Sequence, residues 1–430
     1  MLRKIVSLCV ILSLFVVSSV AFAQEPVEIR IMADLVDAQV TVYNDIIADF
    51  EAANPDIDVV LDVVPYDTIT QTLPLQLETG VGPDIIKSTD VTSLAPYYLD
   101  MRPYLPDADY WDANFGPTIA VTNIPGSGNT ALSAIYSDVT VTGAFINRTL
   151  FEQAGVPVPS DSGEPVTWEE WEAAAVAVRD ATGVDFAMGL DRSGHRLMGP
   201  AISIGATYLN EEGYPDLAND AGFRAFAELF VGFHERGSMP ADIWAGGDGA
   251  RNGRDEFING NLVFYYSGNW QIGSFAENIG DAFDWEAVPA PCGAQTCTGM
   301  PGGAVFAAIA ATQHPEEVSR FMDYFASEPV YREWAERTLL APQHTALVAA
   351  GLNWDTELPQ ALKSLDVFAV EAGNISPIAL ALFSSPNVGP VYGATRDRLT
   401  QVIVGELTLD EAMERIQTDI DTGLAAVTGG

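Results

Sequence analysis

An alternation of strand-like and helix-like segments near the start of the chain constrains the fold most strongly. Apolar residues recur at helical spacing from Val40 to Phe50, and Asn54-Pro55 is expected to end that helix. The order strand, helix, strand, helix, strand predicts a parallel sheet covered by helices on both faces. Sheets of this kind bind ligands at the carboxyl ends of their strands. The strand-like runs are VEIRIMA (27–33), IDVVLDVV (57–64) and DIIKS (84–88).

The middle of the chain repeats this pattern and predicts a second α/β lobe. Thr167 and Glu170 have the spacing of a capping box, and Trp168 and Trp171 beside them are expected to pack in the core. The sequence is nearly all helical beyond residue 315. Because no linker separates the two halves, we expect the chain to cross between two lobes more than once. Further strand-like runs are TGAFIN (142–147), FAMGL (186–190), LVFYY (262–266), WEAVPAP (285–291) and AVFAAIA (304–310).

Residues 1–23 have the organisation of a secretory signal peptide. Arg3 and Lys4 precede the apolar run IVSLCVILSLFVV (5–17), and Ala21-x-Ala23 forms a small-residue cleavage site. The apolar run is shorter than the roughly 20 residues that span a bilayer, which favours cleavage after Ala23 over a membrane anchor. The sequence therefore predicts an exported protein, in a periplasm or on the outer face of the cell envelope.

The charge of the chain excludes one class of partner. Asp and Glu number 59 against 20 Lys and Arg, and the formal net charge is −39. A field of this sign repels nucleic acid and anionic lipid, so no nucleic-acid partner is expected. The carboxylates are scattered along the chain, which is typical of a solvated acidic surface and identifies no ligand.

Two cysteines remain if Cys9 is removed with the signal peptide. Cys292 and Cys297 lie close together in PCGAQTCTG. An even pair in an exported chain favours a disulfide between them. Metal binding by the two thiols is the alternative, and it is less favoured because no histidine lies nearby.

Catalytic signatures are absent from the sequence. It contains no G-x-S-x-G elbow, no Walker A motif, no H-E-x-x-H and no G-x-G-x-x-G after a strand. The four histidines never pair at metal-ligand spacing, and GGDGARNGRDE (246–256) departs from the calcium-loop pattern. We therefore expect a protein that is not an enzyme and that carries no cofactor or metal.

A tryptophan directly after a strand points to a different kind of site. The apolar run 262–266 stops at Ser267-Gly268-Asn269, and Trp270 follows. Sugar rings present an apolar C–H face that stacks on aromatic rings, and their hydroxyls bond to carboxylates, amides and backbone groups. Trp270 at the edge of a cleft suits such a ligand. The alternative is an ordinary buried tryptophan at the start of a helix.

Six segments occur in an order and spacing that are specific in combination. They are DFEAANPDIDVVLDVV (49–64), LETGVGPDIIKSTD (77–90), AIYSDVTVTGAFINRTLFEQAGV (134–156), FINGNLVFYYSGNW (257–270), MPGGAVFAAIAATQHPEEVSRFMDYFAS (300–327) and GELTLDEAMERIQTDI (405–420). Together they resemble the extracellular solute-binding proteins of ABC importers, and in particular the sugar-binding branch that includes maltodextrin-binding proteins. The resemblance extends over nearly the whole chain after residue 23.

This resemblance implies a fold and a division into domains. The fold is α/β, the two-lobed periplasmic-binding-protein fold, with hinge crossings and a helical C-terminal region. The crossings are expected near residues 137–141, 299–304 and 338–346. After the signal peptide (1–23), the first lobe would comprise residues 24–137 and 304–340, and the second residues 138–303 and 341–430.

The function that the resemblance implies is that of a substrate-binding component. Such a protein captures a sugar or oligosaccharide between its lobes and delivers it to an ABC permease in the membrane. It performs no chemistry, needs no cofactor and is expected to be a monomer. Its lobes close around the ligand by hinge motion.

Positions that match the family's ligand contacts form the predicted site. The aromatic members are expected to stack on sugar rings, and the aspartates to accept bonds from hydroxyls. Two glycines at the return crossing would let the backbone approach the ligand. Asp34 and Asp37 end the first strand, and either could reach the cleft. The full set is Asp34, Asp37, Asp90, Asp138, Thr140, Tyr208, Trp270, Gly302, Gly303 and Tyr392.

Two departures from the maltodextrin pattern leave the identity of the sugar open. Asp138 and Thr140 stand where maltodextrin-binding proteins carry a glutamate. Lys87 and Ser88 replace more apolar residues. The sequence therefore predicts a sugar ligand without naming the sugar.

Other ligands and activities remain as alternatives. The solute could be a polyol phosphate, an amino acid or a polyamine. An anionic solute would need convergent basic residues, for which Arg192 and Arg196 are the nearby candidates. An exported carbohydrate-active hydrolase, with two carboxylates flanking the sugar ring, is a less favoured alternative.

Overall fold

The computed structural model describes residues 25–89, 94–119, 131–245 and 252–428. Within these ranges the strands are β1 (Val27–Ala33), β2 (Ile57–Val63), β3 (Ile85–Ser88), β4 (Ala134–Tyr136), β5 (Thr140–Asn147), β6 (Phe186–Leu190), β7 (Leu262–Gly268), β8 (Trp285–Val288), β9 (Pro301–Gly302) and β10 (Val305–Ala308).

The described helices are α1 (Asp37–Ala53), α2 (Tyr66–Thr79), α3 (Ala108–Ile119), α4 (Arg148–Ala154), α5 (Trp168–Thr182), α6 (Gly194–Ile204), α7 (Ala221–Glu235), α8 (Ala241–Ala245), α9 (Gly253–Ile258), α10 (Gln271–Asn278), α11 (Pro315–Ala326), α12 (Glu328–Thr338), α13 (Thr345–Ala350), α14 (Pro359–Gly373), α15 (Pro377–Phe383), α16 (Gly389–Ile403) and α17 (Leu409–Thr428). The predicted signal peptide lies outside the described residues.

The first sheet has the strand order β2-β1-β3-β10-β4. Its strands β1, β2 and β3 are parallel, as the alternation of strands and helices predicts. Strand β10 runs antiparallel to both β3 and β4, so the sheet is mixed and not wholly parallel. The reason is that β10 enters from the second lobe, and no helical crossover of the first lobe sets its direction.

The second sheet has the order β6-β7-β5-β8, and β9 pairs with β5. Strand β7 is parallel to β6 and antiparallel to β5, so only one of these two neighbours pairs with it in the parallel direction. All of its residues are buried, as its continuous apolar sequence predicts. Its carboxyl end leads directly into Trp270 and α10.

Aromatic residues dominate the cores of both lobes. In the first lobe, Tyr43 and Phe325 pack against each other with ring centroids 5.9 Å apart. In the second lobe, Trp168 and Trp171 are buried, which confirms that they are packing residues. The capping box at Thr167 is also confirmed, because its hydroxyl accepts from the Glu170 amide while its own amide donates to the Glu170 carboxylate.

Three stretches of chain connect the lobes, and hydrogen bonds tie them together. The Ser137 amide donates to the Ala304 carbonyl at 2.8 Å, which joins the first crossing to the second. The Val139 amide donates to the Ala341 carbonyl at 2.9 Å, which joins the first to the third. At the third crossing, Leu339 packs into a second-lobe cluster and Leu340 into the core of the first lobe. These bonds tie the three crossings into one bundle, and α1 of the first lobe also contacts α10 of the second.

Helix α13 departs from the division of domains that the sequence suggested. That division placed residues 341–430 in the second lobe. Helices α14 and α16 do pack against second-lobe elements, but α13 contacts α3 and α12 of the first lobe. The third connection therefore touches both lobes at Leu339 and Leu340 but enters the second lobe only after α13, and we propose this position for the boundary.

Cys292 and Cys297 form a disulfide, as predicted. Its loop lies between β8 and the second crossing. The Cys292 amide donates to the Val166 carbonyl at 2.8 Å, and the Gln295 amide donates to the Ser203 carbonyl at 2.9 Å. The loop therefore fixes the start of α5 and the end of α6.

Among the described helices, none is by itself both long and apolar enough to cross a membrane. Helices α14 and α15 meet the length and composition criteria only as a pair, bent by 90°.

Candidate functional site

An ion pair stands where β3 meets the crossings. The Lys87 ammonium lies 3.4 Å from the Asp138 carboxylate, and both side chains are buried. The Ser137 hydroxyl donates to the same carboxylate at 2.8 Å, and the Ala304 amide approaches it at 3.3 Å. Asp138 therefore links the first sheet, the first crossing and the second crossing.

Gly302 and Gly303 allow the second crossing to lie directly on the first. A Cβ at Gly302 would lie 2.7 Å from the Thr140 hydroxyl. Gly303 has a φ of +155°, and its Cβ would lie 2.4 Å from the Asp138 carbonyl. The predicted need for glycine is explained here by close contact between two crossings, and not only by an approach of the backbone to a ligand.

His195, in the first turn of α6, lies against the second crossing. Its Nε2 is 2.9 Å from the Pro301 carbonyl, which can only accept, so Nε2 carries the proton. Burial, with a smaller effect of the neighbouring Arg196, lowers the pKa of His195 to about 3. Its Nδ1 is therefore unprotonated and can accept a hydrogen bond, and no described residue donates to it. The ring also contacts Tyr392, with centroids 5.8 Å apart.

Asp191 follows β6 and organises a polar cluster at the end of β7. The hydroxyls of Tyr265 and Ser267 both donate to its carboxylate, the second at 2.6 Å. The Gln271 amide group donates to the same two hydroxyls at 3.2 and 3.1 Å. Burial and the nearby Asp191 charge raise the pKa of Tyr265 well above its ordinary value, so that its hydroxyl stays a donor.

Trp270 lies at the junction of the two lobes. It follows β7 of the second lobe, yet its ring packs against the core of the first. The Arg196 guanidinium stacks over the ring, with its carbon 4.3 Å from the ring centroid. On its own chain the ring folds back over Gly268, where a Cβ would lie 2.0 Å from the nearest ring carbon. Gly268 is therefore required for this position of the ring.

Some of the unsatisfied buried polar atoms of the described residues lie around this junction, and others lie elsewhere in the two lobes. Four buried atoms here have no hydrogen-bond partner within the described part of the chain: Tyr136 Oη, His195 Nδ1, Arg196 Nε and Gln271 Oε1. Buried polar groups in folded proteins are nearly always bonded to protein or water. These four atoms would gain a partner from water or from a polar ligand that entered here.

Three aspartates were predicted to lie at the carboxyl ends of first-lobe strands. Asp34 follows β1 and is exposed, so its carboxylate is accessible. Asp37 is the first residue of α1, and its side chain is outside the described part of the structure. Asp90 also lies outside the described residues. Their roles as ligand contacts therefore stay predictions.

Tyr208 does not lie in the cleft, contrary to the sequence-based expectation. Its side chain is only 1% exposed, and it packs in the core of the second lobe with its ring edge-on to Phe223. Its backbone has a left-handed φ of +62°, and the Asp220 carboxylate accepts from its amide at 2.8 Å. The local sequence GATYLN did not indicate this turn, which directs the ring inward.

Several residues of the site were not predicted as sugar contacts. Asp191, His195 and Gln271 were not singled out, and Arg196 was considered only for an anionic solute. One signal was available, because DRSGHR begins at the carboxyl end of β6, which is parallel to β7. Polar residues at such strand ends line ligand sites. No set of His, Cys, Asp and Glu within the described ranges is arranged to hold a metal ion.

Comparisons with known proteins agree with this architecture. Residues 45–360 match the family of bacterial extracellular solute-binding proteins. No curated protein sequence matches the chain.

Solved structures share the fold over nearly the whole chain. Maltose-bound MalE3 of T. maritima has a TM-score of 0.75 at 17% identity, covering 92% of this chain and 99% of that one. The maltodextrin-binding domain MalE of Bdellovibrio bacteriovorus, bound to maltotriose, has a TM-score of 0.74 at 16% identity, covering 93% and 100%. An ABC substrate-binding protein of Listeria monocytogenes in complex with cycloalternan has a TM-score of 0.75 at 15% identity, covering 93% and 100%.

At these identities the structural similarity establishes the fold, while the family match covers more than half of the sequence. The two findings agree on the two-lobed α/β fold of a solute-binding protein. The protein belongs to the family of bacterial extracellular solute-binding proteins.

Proposed function

We propose that the protein is the exported substrate-binding component of an ABC transporter and that it captures a sugar or oligosaccharide between its lobes. The structural relatives named above were solved with maltose, maltotriose or cycloalternan. Their shared fold supports the proposal that such a ligand binds at the junction of the lobes in this chain.

One observation carries the proposal: a partly exposed tryptophan at the lobe junction lies under Arg196, and buried polar atoms of Arg196, His195 and Gln271 have no hydrogen-bond partner among the described residues. A sugar supplies an apolar face for the ring and hydroxyl groups for the polar atoms. Its C–H face packs on aromatic surface, and its hydroxyls donate to acceptors such as His195 Nδ1 and Gln271 Oε1. Tyr392, which is partly exposed beside His195, offers further aromatic surface.

Ligand binding is coupled to closure of the lobes in this proposal. The three bonded crossings form the hinge, and residues on both sides of the cleft can contact a ligand only when the lobes approach each other. Closure converts binding into a shape that a membrane permease can recognise. The protein would act as a monomer, in the periplasm or on the outer face of the cell envelope.

The protein is proposed to release its ligand chemically unchanged. Its family is one of binding proteins. The carboxylates of the junction are engaged in fixed contacts, since Asp138 is paired with Lys87 and Asp191 accepts two hydroxyl donors. Neither is therefore a free acid or base of the kind that glycoside hydrolysis needs.

A thermal-shift screen of sugars and polyols tests the proposal. A ligand that binds only the native state raises the melting temperature in proportion to the logarithm of its concentration. At least one mono- or oligosaccharide should raise the melting temperature and be recovered unchanged by chromatography. A panel without any stabilising sugar would contradict sugar binding, and recovery of a cleaved sugar would favour a hydrolase.

A further inference from the structure

Arg196 is the basic side chain of the junction whose hydrogen-bonding capacity is not used. Its side chain is 23% exposed, and its nearest carboxylate oxygen, on Asp191, lies 3.7 Å from Nε, beyond hydrogen-bond distance. None of the described residues accepts a hydrogen bond from its guanidinium, and its Nε is shielded from solvent. A guanidinium carries five N–H donors, so a largely buried one without acceptors is a costly arrangement.

Asp191 cannot easily turn to satisfy this arginine. Its two carboxylate oxygens already accept from the hydroxyls of Tyr265 and Ser267. Gln271 holds both of these hydroxyls from the other side. Asp191 therefore balances part of the Arg196 charge at a distance and leaves its donors available.

The other basic residues near the junction have carboxylate partners. Lys87 is paired with the buried carboxylate of Asp138. Arg192 donates to Asp397 at 3.5 Å, and Arg396 donates to the same carboxylate at 2.7 Å. Arg196 is thus distinguished from its neighbours by its unmet donors and not by its charge alone.

The contact with Trp270 restrains the position of the guanidinium. The Arg196 carbon lies 4.3 Å from the ring centroid, within the range of a cation–π contact. A guanidinium held against an aromatic ring can still donate from the N–H groups at its edge. The fork of these groups matches the two oxygens of a carboxylate, and charge-assisted bonds are about twice as strong as neutral ones.

We propose that Arg196 determines specificity and that the cleft takes a sugar bearing a carboxylate, a uronic-acid-type ligand. This inference rests on the proposed sugar-binding function. The carboxylate bonds to the Arg196 fork above Trp270, and the sugar hydroxyls bond to the acceptors His195 Nδ1 and Gln271 Oε1. One ligand then satisfies the unmet donor and the unmet acceptors together.

The net charge of −39 does not oppose this assignment at short range. Exposed charges are screened over about 8 Å at physiological ionic strength, whereas a partly buried contact is screened much less. The charge of the whole surface therefore affects the rate of encounter with an anionic sugar more than the strength of its contact with Arg196.

The test compares acidic sugars with neutral partners of the same shape. Oligomers of galacturonic, glucuronic and mannuronic acid, and their methyl esters, are titrated into the full chain by calorimetry. At least one acid should bind at least tenfold more tightly than its ester, which corresponds to about 1.4 kcal/mol. In Arg196→Gln the ratio of acid to ester affinity should fall to about one, and in Arg196→Lys to an intermediate value.

The control is Arg320→Gln on α11, which removes the same charge from an exposed ion pair with Asp56. It should keep the wild-type ratio. A purely structural role for Arg196 would weaken acid and ester alike and leave the ratio unchanged, which would overturn the inference. Neutral sugars or esters that bind as well as the acids would also overturn it while leaving sugar binding intact. Failure of every acid, ester and neutral sugar to bind a folded protein would instead contradict the proposed function itself.

Discussion

The guanidinium carbon of Arg196 lies 4.3 Å from the centre of the Trp270 ring, and this contact connects the second-lobe helix α6 to a ring that packs on the core of the first lobe. Arg196 comes from α6 and connects through Asp191 to the cluster at the end of β7. Trp270 packs against the core of the first lobe. A change in the position of either lobe therefore acts on this pair, and a ligand bound there is sensed by both lobes.

The buried pair of Lys87 and Asp138 should be essential for stability. In Asp138→Asn the ammonium of Lys87 would remain buried without a countercharge, which costs about 3–5 kcal/mol. Chemical denaturation should show this loss, and Lys87→Met combined with Asp138→Asn should recover part of it. Asp56→Asn, at an exposed ion pair, is the control and should hardly change the midpoint. Equal effects of Asp138→Asn and Asp56→Asn would show that the Lys87 pair is not buried in solution.

Gly303 should tolerate no side chain. A Cβ there would lie 2.4 Å from the Asp138 carbonyl, and its φ of +155° is unfavourable for other residues. Gly303→Ala should therefore lower the melting temperature by several degrees and weaken ligand binding, because it separates the first two crossings. Gly116→Ala in α3 is the matched control, since no atom lies within 4 Å of the added methyl. A normal melting temperature for Gly303→Ala would mean that the two crossings are not in contact.

Acid should destabilise the protein through its buried histidines. Burial lowers the pKa of His234 to about 4, from an unfolded value near 6.5. Between these values the unfolded chain binds a proton that the folded protein does not, so the free energy of unfolding falls as the pH is lowered through this window. His195 contributes in the same sense, down to about pH 3. Urea denaturation between pH 7 and 4 should show a smaller loss for His234→Gln than for the wild type, and parallel curves would contradict this.

The disulfide should stabilise the loop that holds α5 and α6. Closing a loop of this separation contributes about 2 kcal/mol through chain entropy. The double variant Cys292→Ser, Cys297→Ser should lose about this much in the free energy of unfolding. Mass spectrometry of the mature protein without reductant should show two hydrogens fewer than the reduced form. Two alkylatable thiols in the native exported protein would contradict the bond.

Short-range patterns predicted much of the fold. The bounds of β1 and β6, the capping box at Thr167 and the disulfide follow from residues close together in sequence. The direction of β10 did not follow, because it depends on where the chain returns from the second lobe. The local pattern of alternating strands and helices does not contain that information.

The site was predicted less completely than the fold. Trp270 was singled out because it follows a buried strand, and it does lie at the lobe junction. Tyr208 was misplaced, because its left-handed backbone turns the ring into the core. The stacking of Arg196 on Trp270 joins residues far apart in the chain, so no local motif could indicate it. The acceptor atoms of His195 and Gln271 are recognisable only once their burial is known.

The central claim, that a sugar binds at Trp270 between the lobes, is tested most directly by calorimetry on the wild type and Trp270→Ala. Removing the ring removes an aromatic contact worth about 0.5–1.5 kcal/mol beyond the apolar area that it covers. With a sugar that stabilises the wild type, Trp270→Ala should bind at least tenfold more weakly while its melting temperature without ligand falls by only a few degrees. A Trp270→Ala protein that unfolds at moderate temperature but whose folded fraction binds the sugar normally would contradict the account.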